Sequence, residues 1–276
     1  MSERLPARMR ALATELTKLR EAAGLTTRQA ATRLDQSIAT LNRTENARRT
    51  ATVAEVSAML AIYGVVGAER KRIMALVDEL NTPRWLGIDT DPQRPTLPIF
   101  ESEAVSIVNF APCTVPGLLQ TPAYARAITS LGQTTELHEA MIAARLDRQK
   151  VLARLVAPQY VAILDEAALR RAQGGSAVMV EQINWLIDMA KRPNIALHVI
   201  PFRHGGYHNP GYFSLLEFPK APPIVYVEHS LVSGFLDAPE DTQAFRAHTA
   251  SLIQASLGCA DSVNFLTKMA ADHERG

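Results

Sequence analysis

Apolar residues in the first part of the chain recur at three- and four-residue spacing, the period of an amphipathic helix. Helix-capping residues and glycines interrupt the pattern, which predicts helices over 6–23, 26–34, 38–46, 52–63 and 68–80. Their predicted inward residues include Met9, Leu12, Leu16 and Leu19, then Val53, Val56, Met59 and Leu60, and finally Ile73, Leu76, Val77 and Leu80. We therefore predict an all-α headpiece of five helices at residues 1–80.

The hydrophobic pattern changes after residue 80. Residues 81–98 contain four prolines and no regular apolar period, which predicts a semi-rigid linker. Residues 99–276 then alternate between the two periods, with predicted helices over 97–106, 136–155, 167–172, 178–191, 242–257 and 261–272 and predicted strands over 160–164, 195–200, 213–218 and 224–227. This alternation predicts an α/β domain, a mixed sheet covered by helices.

Capping signals divide residues 24–46 into two short helices joined by a tight turn. Gly24 suits the left-handed conformation that ends many helices, and Thr26 with Gln29 forms a capping box for the next one. Asp35-Gln36 makes the turn, and Ser37 is a good N-cap for the following helix. Two short helices in this arrangement are typical of a helix-turn-helix.

The second of these helices has a side that is predicted to face solvent. Leu41, Thr44 and Glu45 are predicted to face inward, which leaves Ile38, Ala39, Asn42 and Arg43 facing outward. A short exposed helix fits a DNA major groove roughly 12 Å wide. We therefore predict that Ile38, Ala39 and Asn42 contact base edges.

This stretch resembles the XRE class of repressors related to phage repressors. The resemblance is carried by Leu19-Arg20, Gly24-Leu25-Thr26, Ala31, Ser37, Leu41-Asn42-Arg43 and Glu45. It implies an ion pair between Arg20 and Glu45 that ties the first helix to the third. Three residues depart from the family pattern: Ala47, where the family usually has glycine, Thr44, where it has a larger apolar residue, and Thr27, where a phosphate-contacting glutamine is common.

The charge distribution agrees with DNA contact through the N-terminal end. Residues 1–50 contain ten Lys/Arg and five Asp/Glu, whereas the whole chain has a net charge of only +1. Candidates for phosphate contact are Thr27, Arg28, Arg43, Arg48 and Arg49. Because one headpiece reaches only a few base pairs, a homodimer on two half-sites roughly 34–36 Å apart is expected, with a near-palindromic operator in double-stranded DNA.

The C-terminal part resembles the C-terminal domain of a large actinobacterial regulator family that includes WhiJ-like regulators. The resemblance is carried by the stretch over 110–126, Arg145, Arg148-Gln149, the stretches over 164–170, 193–194 and 199–202, Gly211, Phe213 and the stretch over 225–228. It implies a transcriptional regulator, a repressor of development or specialised metabolism, whose effector is a small acidic partner protein. Residues 99–276 are then expected to be the regulatory, partner-binding and dimerisation domain. Two alternatives are a small-molecule-sensing regulator and an antitoxin-like module that regulates only its own operon.

The same region contains carboxylates and histidines, the residue types of catalytic and metal-binding sites. Asp165 and Glu166 follow an apolar strand, but the pair is also a good helix N-cap. His204 and His208 are separated by two glycines, which disfavours a helical ligand pair, and His198 and His229 complete no defined ligand set. The sequence therefore predicts a protein that is not an enzyme, with no catalytic residues, no metal and no cofactor.

Segments that direct a chain out of the cytoplasm are not predicted. The N-terminus lacks the apolar core of a signal peptide, and no run approaches the roughly 20 apolar residues of a membrane span. Cys113 and Cys259 lie far apart in the sequence, which suits a reducing compartment. We therefore expect a cytoplasmic protein that makes no contact with a membrane.

Overall fold

Five helices form the N-terminal part of the chain, as the hydrophobic period predicts. In the computed structural model, which describes residues 7–80, 87–88, 96–129, 135–229 and 232–275, these helices are α1 (Ala7–Ala22), α2 (Thr27–Arg33), α3 (Ile38–Glu45), α4 (Val53–Ile62) and α5 (Gly67–Leu80). Their shared core includes Leu16, Leu41, Leu60 and Ile73, none of which is accessible to solvent. Val53 differs from the prediction because it occupies the first position of α4, next to the cap, and is 48% exposed.

Helices α1 to α4 all end in the same backbone motif. Each is followed by a residue with positive φ: Gly24 (68°), Asp35 (53°), Ala47 (56°) and Gly64 (73°). The next amide then donates to a carbonyl in the last turn of the helix, as Leu25 N does to Arg20 O (3.2 Å) and Arg48 N does to Arg43 O (2.7 Å). These Schellman motifs satisfy carbonyls that the helix leaves free. They reverse the chain sharply enough to keep α2 and α3 short.

The rest of the chain contributes seven helices and seven strands within the described ranges. The helices are α6 (Thr96–Glu103), α7 (Pro122–Thr129), α8 (Thr135–Arg148), α9 (Glu166–Arg170), α10 (Ser176–Met189), α11 (Pro239–Ala255) and α12 (Cys259–Arg275). The strands are β1 (Gly87–Ile88), β2 (Ser106–Ala111), β3 (Gln159–Asp165), β4 (Ile195–Ile200), β5 (Phe213–Glu217), β6 (Ile224–His229) and β7 (Val232–Leu236).

The chain divides into two compact units, Met1–Phe100 with Leu231–Phe235, and Glu101–Ser230 with Leu236–Gly276. The predicted linker, 81–98, falls outside the described residues except for β1, which pairs antiparallel with β7, and its last three residues, which belong to α6. The sequence pattern contained no signal for either short strand.

The second unit contains a mixed sheet. Its strands are hydrogen-bonded in the order β6-β5-β2-β3-β4, where β2, β3 and β4 are parallel and β5 is antiparallel to both β2 and β6. On one face, Phe110, Ile163, Phe213 and Val225 form a core with Leu252 of α11. The predicted α/β class and the predicted hairpin over 213–227 are confirmed.

Two predicted helices are shorter in the structure. The helix predicted over 97–106 ends at Glu103, and Ser106 begins β2, a strand for which the hydrophobic pattern gives no signal. This strand carries a buried asparagine, Asn109, whose Oδ1 accepts a hydrogen bond from Tyr160 Oη at 2.6 Å. A buried polar residue interrupts the apolar run by which interior strands are recognised.

The helix predicted over 136–155 ends at Arg148 and continues as a 3-10 turn over Gln149–Ala153. Arg148 Nε and Nη2 donate to Glu101 at 2.9 and 2.7 Å, a buried ion pair that fixes the end of α8. Leu155 and Ala144 are exposed, although they are apolar residues of the predicted helix, whereas Ile142 is buried.

Candidate DNA-binding surface

The turn between α2 and α3 is built by side chains that cap both helices. Thr26 accepts from Gln29 N at 3.3 Å, and Gln29 Oε1 accepts from Thr26 N at 2.9 Å, which completes the predicted capping box. Ser37 Oγ accepts from Thr40 N at 3.0 Å at the start of α3. Nearby side chains therefore accept hydrogen bonds from free backbone amides at the N-terminal ends of both α2 and α3, so the turn at Asp35 is stabilised by local contacts.

Helix α3 is anchored to α1 by a buried ion pair. Arg20 Nε donates to Glu45 Oε1 at 2.7 Å, and the two side chains are only 10% and 6% exposed. Arg20 Nη1 also donates to Leu25 O at 2.8 Å, so the same guanidinium holds the loop before α2. The hydrogen bond to Glu45 raises the pKa of Arg20, against the opposing effect of burial. Arg20 and Glu45 thus form the pair that the sequence predicted.

Apolar packing completes this attachment. Leu41 is fully buried and Thr44 is 5% exposed, so both lie on the inner side of α3 with Glu45. Ala47 N and Arg48 N close the C-terminal end of the helix through Thr44 O (3.0 Å) and Arg43 O (2.7 Å). The orientation of α3 is therefore determined at its middle and at its end.

The opposite side of α3 faces solvent. Ile38 is 40% exposed, and Ala39, Asn42 and Arg43 are also exposed. The side-chain amide of Asn42 makes no hydrogen bond with any residue that the structure describes, so both its donor and its acceptor are free to contact a base. The three predicted base-contacting residues, Ile38, Ala39 and Asn42, are brought together on one accessible face.

Several cations surround this face. Arg28 on α2, Arg43 on α3 and Arg48 after α3 are exposed, and within the described ranges none of them forms an ion pair. Thr27, the first residue of α2, is half-buried. Arg33, at the end of α2, is also exposed and forms no ion pair with a described residue, although it was not among the predicted phosphate contacts. The sequence feature that indicates a phosphate contact here is the basic composition of α2.

Arg49 differs from the other predicted phosphate contacts. Its guanidinium pairs with Glu55, and its Nη1 donates to Thr44 Oγ1 at 3.3 Å. The same pairing, together with a hydrogen bond from Thr52 N to Glu55 (2.7 Å), lowers the pKa of Glu55. Its charge already connects α3 to the start of α4, which leaves Arg49 less available for phosphate contact than Arg48, and its predicted phosphate contact stays a prediction.

In the second unit, the carboxylates considered as catalytic groups are bound within the fold. Asp165 caps α9 through Ala167 N (2.7 Å) and accepts from Tyr207 Oη (2.6 Å). Glu166, only 4% exposed, accepts from Phe202 N at 2.7 Å and pairs with Arg170.

The histidines of this unit are dispersed. His198 Nδ1 lies 3.0 Å from Leu257 O, and His204 Nδ1 lies 2.9 Å from Ala255 O. The ring of His208 stacks on that of His248, with centroids 5.0 Å apart, while the side chain of His229 lies outside the described residues. Over the described ranges, His, Cys, Asp and Glu form no group of three or more suited to hold a metal ion.

Comparison with known families assigns both parts of the chain. Residues 11–73 match the family described as "Helix-turn-helix domain". Residues 95–268, more than half of the chain, match the family described as "Domain of unknown function (DUF5753)". The chain belongs to the DUF5753 family.

The two matches identify a DNA-binding regulator in which a helix-turn-helix domain precedes a DUF5753 domain. Curated proteins and solved structures give no match to the chain. No helix in the described part of the DUF5753 domain or of the N-terminal domain is long and apolar enough to cross a membrane.

Proposed function

We propose that the protein is a dimeric, sequence-specific repressor of the XRE class. The observation that carries the proposal is the geometry of α3: a buried Arg20–Glu45 pair on one side and an accessible Ile38, Ala39 and Asn42 on the other. Because its inner side is fixed to the domain, α3 presents its outer side chains at fixed positions, and recognition of bases requires such fixed positions.

Asn42 is the residue best suited to discriminate between bases. The side-chain nitrogen of Asn42 can donate to adenine N7 while its side-chain oxygen accepts from the N6 amino group, a bidentate pair worth about 1–3 kcal/mol. Ile38 and Ala39 would add apolar contacts, such as those made to a thymine methyl group. Because one α3 covers only a few base pairs, two copies on a near-palindromic operator complete the site.

The experiment starts with selection of an operator from a random DNA pool by the full chain. Asn42→Ala is then expected to lower the preference for that operator over scrambled DNA by about 1–3 kcal/mol, with little change in binding to scrambled DNA. Asn46→Ala is a matched control, because Asn46 Nδ2 is already bonded to Asn42 O at 2.7 Å. An equal loss on operator and scrambled DNA after Asn42→Ala would refute base readout by this residue.

A substitution at Arg48 distinguishes contacts to the DNA phosphates from contacts to the bases. Arg48→Ala is expected to weaken binding to any DNA and to reduce the slope of log K against log salt by about one. Arg49→Ala is the comparison variant: its charge is paired with Glu55, so it should reduce thermal stability and leave that slope nearly unchanged. An unchanged slope for Arg48→Ala would remove this residue from the phosphate contacts.

For the DUF5753 domain we propose a binding role, with a small acidic protein as co-regulator in an actinobacterial, WhiJ-like system. The segment after α8 supports a protein contact, because Leu155 and Val156 are almost fully exposed and follow the exposed cation Arg154. Adjacent apolar and basic side chains suit a partner with an acidic rim and an apolar centre. Asp165 and Glu166, which serve helix capping and ion pairing, support a non-enzymatic role.

This second part is tested by capture of partners from the native cell. Wild-type protein should retain an acidic protein that Leu155→Asp loses, while Leu155→Ala, which keeps the surface uncharged, loses it only in part. Equal retention by wild type and Leu155→Asp would exclude this surface. Binding of DNA by Leu155→Asp provides the control for folding of the headpiece.

A further inference from the structure

A cavity of about 530 Å³ that is open to solvent on one side lies in the DUF5753 domain, between the start of α7, the end of α8 and one side of α10. Its volume falls within the roughly 300–1,000 Å³ of small-molecule sites in proteins. The walls combine the apolar side chains of Pro122 and Leu146, the indole of Trp185, amide side chains, and the carboxylates of Glu181 and Asp188. This composition allows both apolar contact and recognition of charge.

One wall is preformed by hydrogen bonds to buried glutamines. Gln120 Nε2 donates to Val115 O at 2.6 Å, and Gln149 Nε2 donates to Gln120 O at 2.7 Å and to Gly117 O at 3.0 Å. Gln182 Oε1 accepts from Thr121 N at 2.7 Å. A wall fixed in this way loses little conformational entropy when a ligand binds.

The opposite wall is one face of α10. Glu181, Trp185 and Asp188 lie at positions i, i+4 and i+7, which bring their side chains to the same side of the helix. Glu181 forms no ion pair with any described residue, and Asp188 pairs only with the exposed Lys191, at 2.7 Å. The wall therefore carries uncompensated negative charge next to an aromatic ring.

Positive charge is absent from the lining that the structure describes. Arg145 Nη1 donates to Gln120 Oε1 at 3.0 Å, but Arg145 is not among the residues that form the walls. Trp185 Nε1 is buried and donates to no described residue, so no hydrogen bond fixes the orientation of the indole ring.

We propose that this cavity binds a small organic ammonium ion, with its charge against the indole of Trp185 and beside the carboxylate of Glu181. The face of an indole attracts cations, and quaternary ammonium groups are recognised by aromatic rings in this way. The amide oxygen of Gln149, whose nitrogen is already bonded, is available as a further acceptor. The site belongs to the DUF5753 domain alone, so the proposal does not depend on DNA binding.

The probe is butyrylcholine, compared with its uncharged carbon isostere 3,3-dimethylbutyl butyrate and with butyrate. Since the chain has two tryptophans, Trp85→Phe leaves Trp185 as the single fluorophore. Saturable change in its emission is measured with each compound, and calorimetry on the natural full chain repeats the titration without any substitution. The variant Glu181→Gln tests the carboxylate, and Glu240→Gln, an exposed residue on α11, is its matched control.

Butyrylcholine is expected to bind saturably and at least about fivefold more tightly than the uncharged isostere, whereas butyrate does not bind. Glu181→Gln should weaken the binding of butyrylcholine roughly two- to fivefold, the size expected for an exposed ion pair, and Glu240→Gln should not. Equal affinity for the isostere, an unchanged affinity in Glu181→Gln, or no saturable binding by calorimetry would overturn the proposal. Binding of a short lysine peptide but not of butyrylcholine would also overturn it, in favour of a protein side chain as the source of the ammonium group.

Discussion

The attachment of α3 to α1 gives a prediction whose size follows from the structure. In Glu45→Gln the side chain keeps its shape and one acceptor for Arg20 Nε, but the guanidinium loses the one buried counter-ion that it has among the described residues. The matched control is Glu21→Gln. Glu21 Oε1 lies 3.6 Å from the same guanidinium, and the Glu21 side chain is 65% exposed, whereas that of Glu45 is 6% exposed.

The magnitude is set by burial. Removing one partner of a buried ion pair costs about 3–5 kcal/mol, because the remaining charge stays desolvated. Because the glutamine amide still accepts a hydrogen bond from the charged guanidinium, we expect Glu45→Gln to cost less than this range, about 2–3 kcal/mol of free energy of opening. An exposed pair is worth about 0–1 kcal/mol, so Glu21→Gln should change the free energy of opening by less than about 1 kcal/mol.

Native-state hydrogen exchange on the full chain measures the free energy of opening at the backbone amides of α3 itself. Under conditions in which exchange reports the opening equilibrium, a loss of about 2–3 kcal/mol speeds exchange of the α3 amides by about 30- to 150-fold. Amides of the sheet in the DUF5753 domain serve as an internal reference, because they belong to the other compact unit.

Two results would refute the reasoning. If Glu45→Gln and Glu21→Gln accelerated exchange equally, burial would not control the contribution of the pair. If Glu45→Gln left the α3 amides protected, apolar packing of Leu41 alone would hold the helix, and the ion pair would not determine its orientation.

Three further predictions concern the same domain. Ala47→Gly is expected to raise the free energy of unfolding by up to about 1 kcal/mol, because an alanine in the left-handed conformation costs about 1–2 kcal/mol, while the greater freedom of glycine in the unfolded chain offsets about 0.4–1 kcal/mol of that gain. Ala58→Gly, in the exposed middle of α4, should lower the free energy of unfolding instead. A change of the same sign for both variants in urea unfolding would contradict this prediction. Tyr63→Phe should raise the melting temperature, because the buried tyrosine hydroxyl has no hydrogen-bond partner among the described residues and such a group costs about 1–3 kcal/mol; a lower melting temperature would indicate a bound partner such as a water molecule. The pKa of Glu55 is held below its ordinary value of 4.5, first by the hydrogen bond from Arg49, so this carboxylate stabilises the fold above that pH and loses its contribution as the pH falls below it. Urea unfolding of Glu55→Gln should therefore depend less on pH below about 4.5 than that of the wild type, and parallel curves would exclude the effect.

Local interactions explain why so much of the N-terminal domain could be predicted. A capping box, a Schellman turn and an i, i+3, i+4 apolar face each involve residues within one or two turns of one another, so the residue types alone specify them. Thr26 with Gln29, Ser37 and Gly24 behave as their types predict. The Arg20–Glu45 pair is separated by 25 residues and was predicted from the family resemblance rather than from any local pattern.

What the sequence by itself determined is therefore the set of helices in the headpiece, the outer face of α3 and the α/β class of the second domain. Only the tertiary structure decided that Arg49 pairs with Glu55, that Asn109 lies in an interior strand, and that α7, α8 and α10 line an open cavity beside Trp185. The physical reason is distance along the chain: a helical period is set by near neighbours, whereas an ion pair, a sheet position or a cavity wall depends on which remote segments pack together.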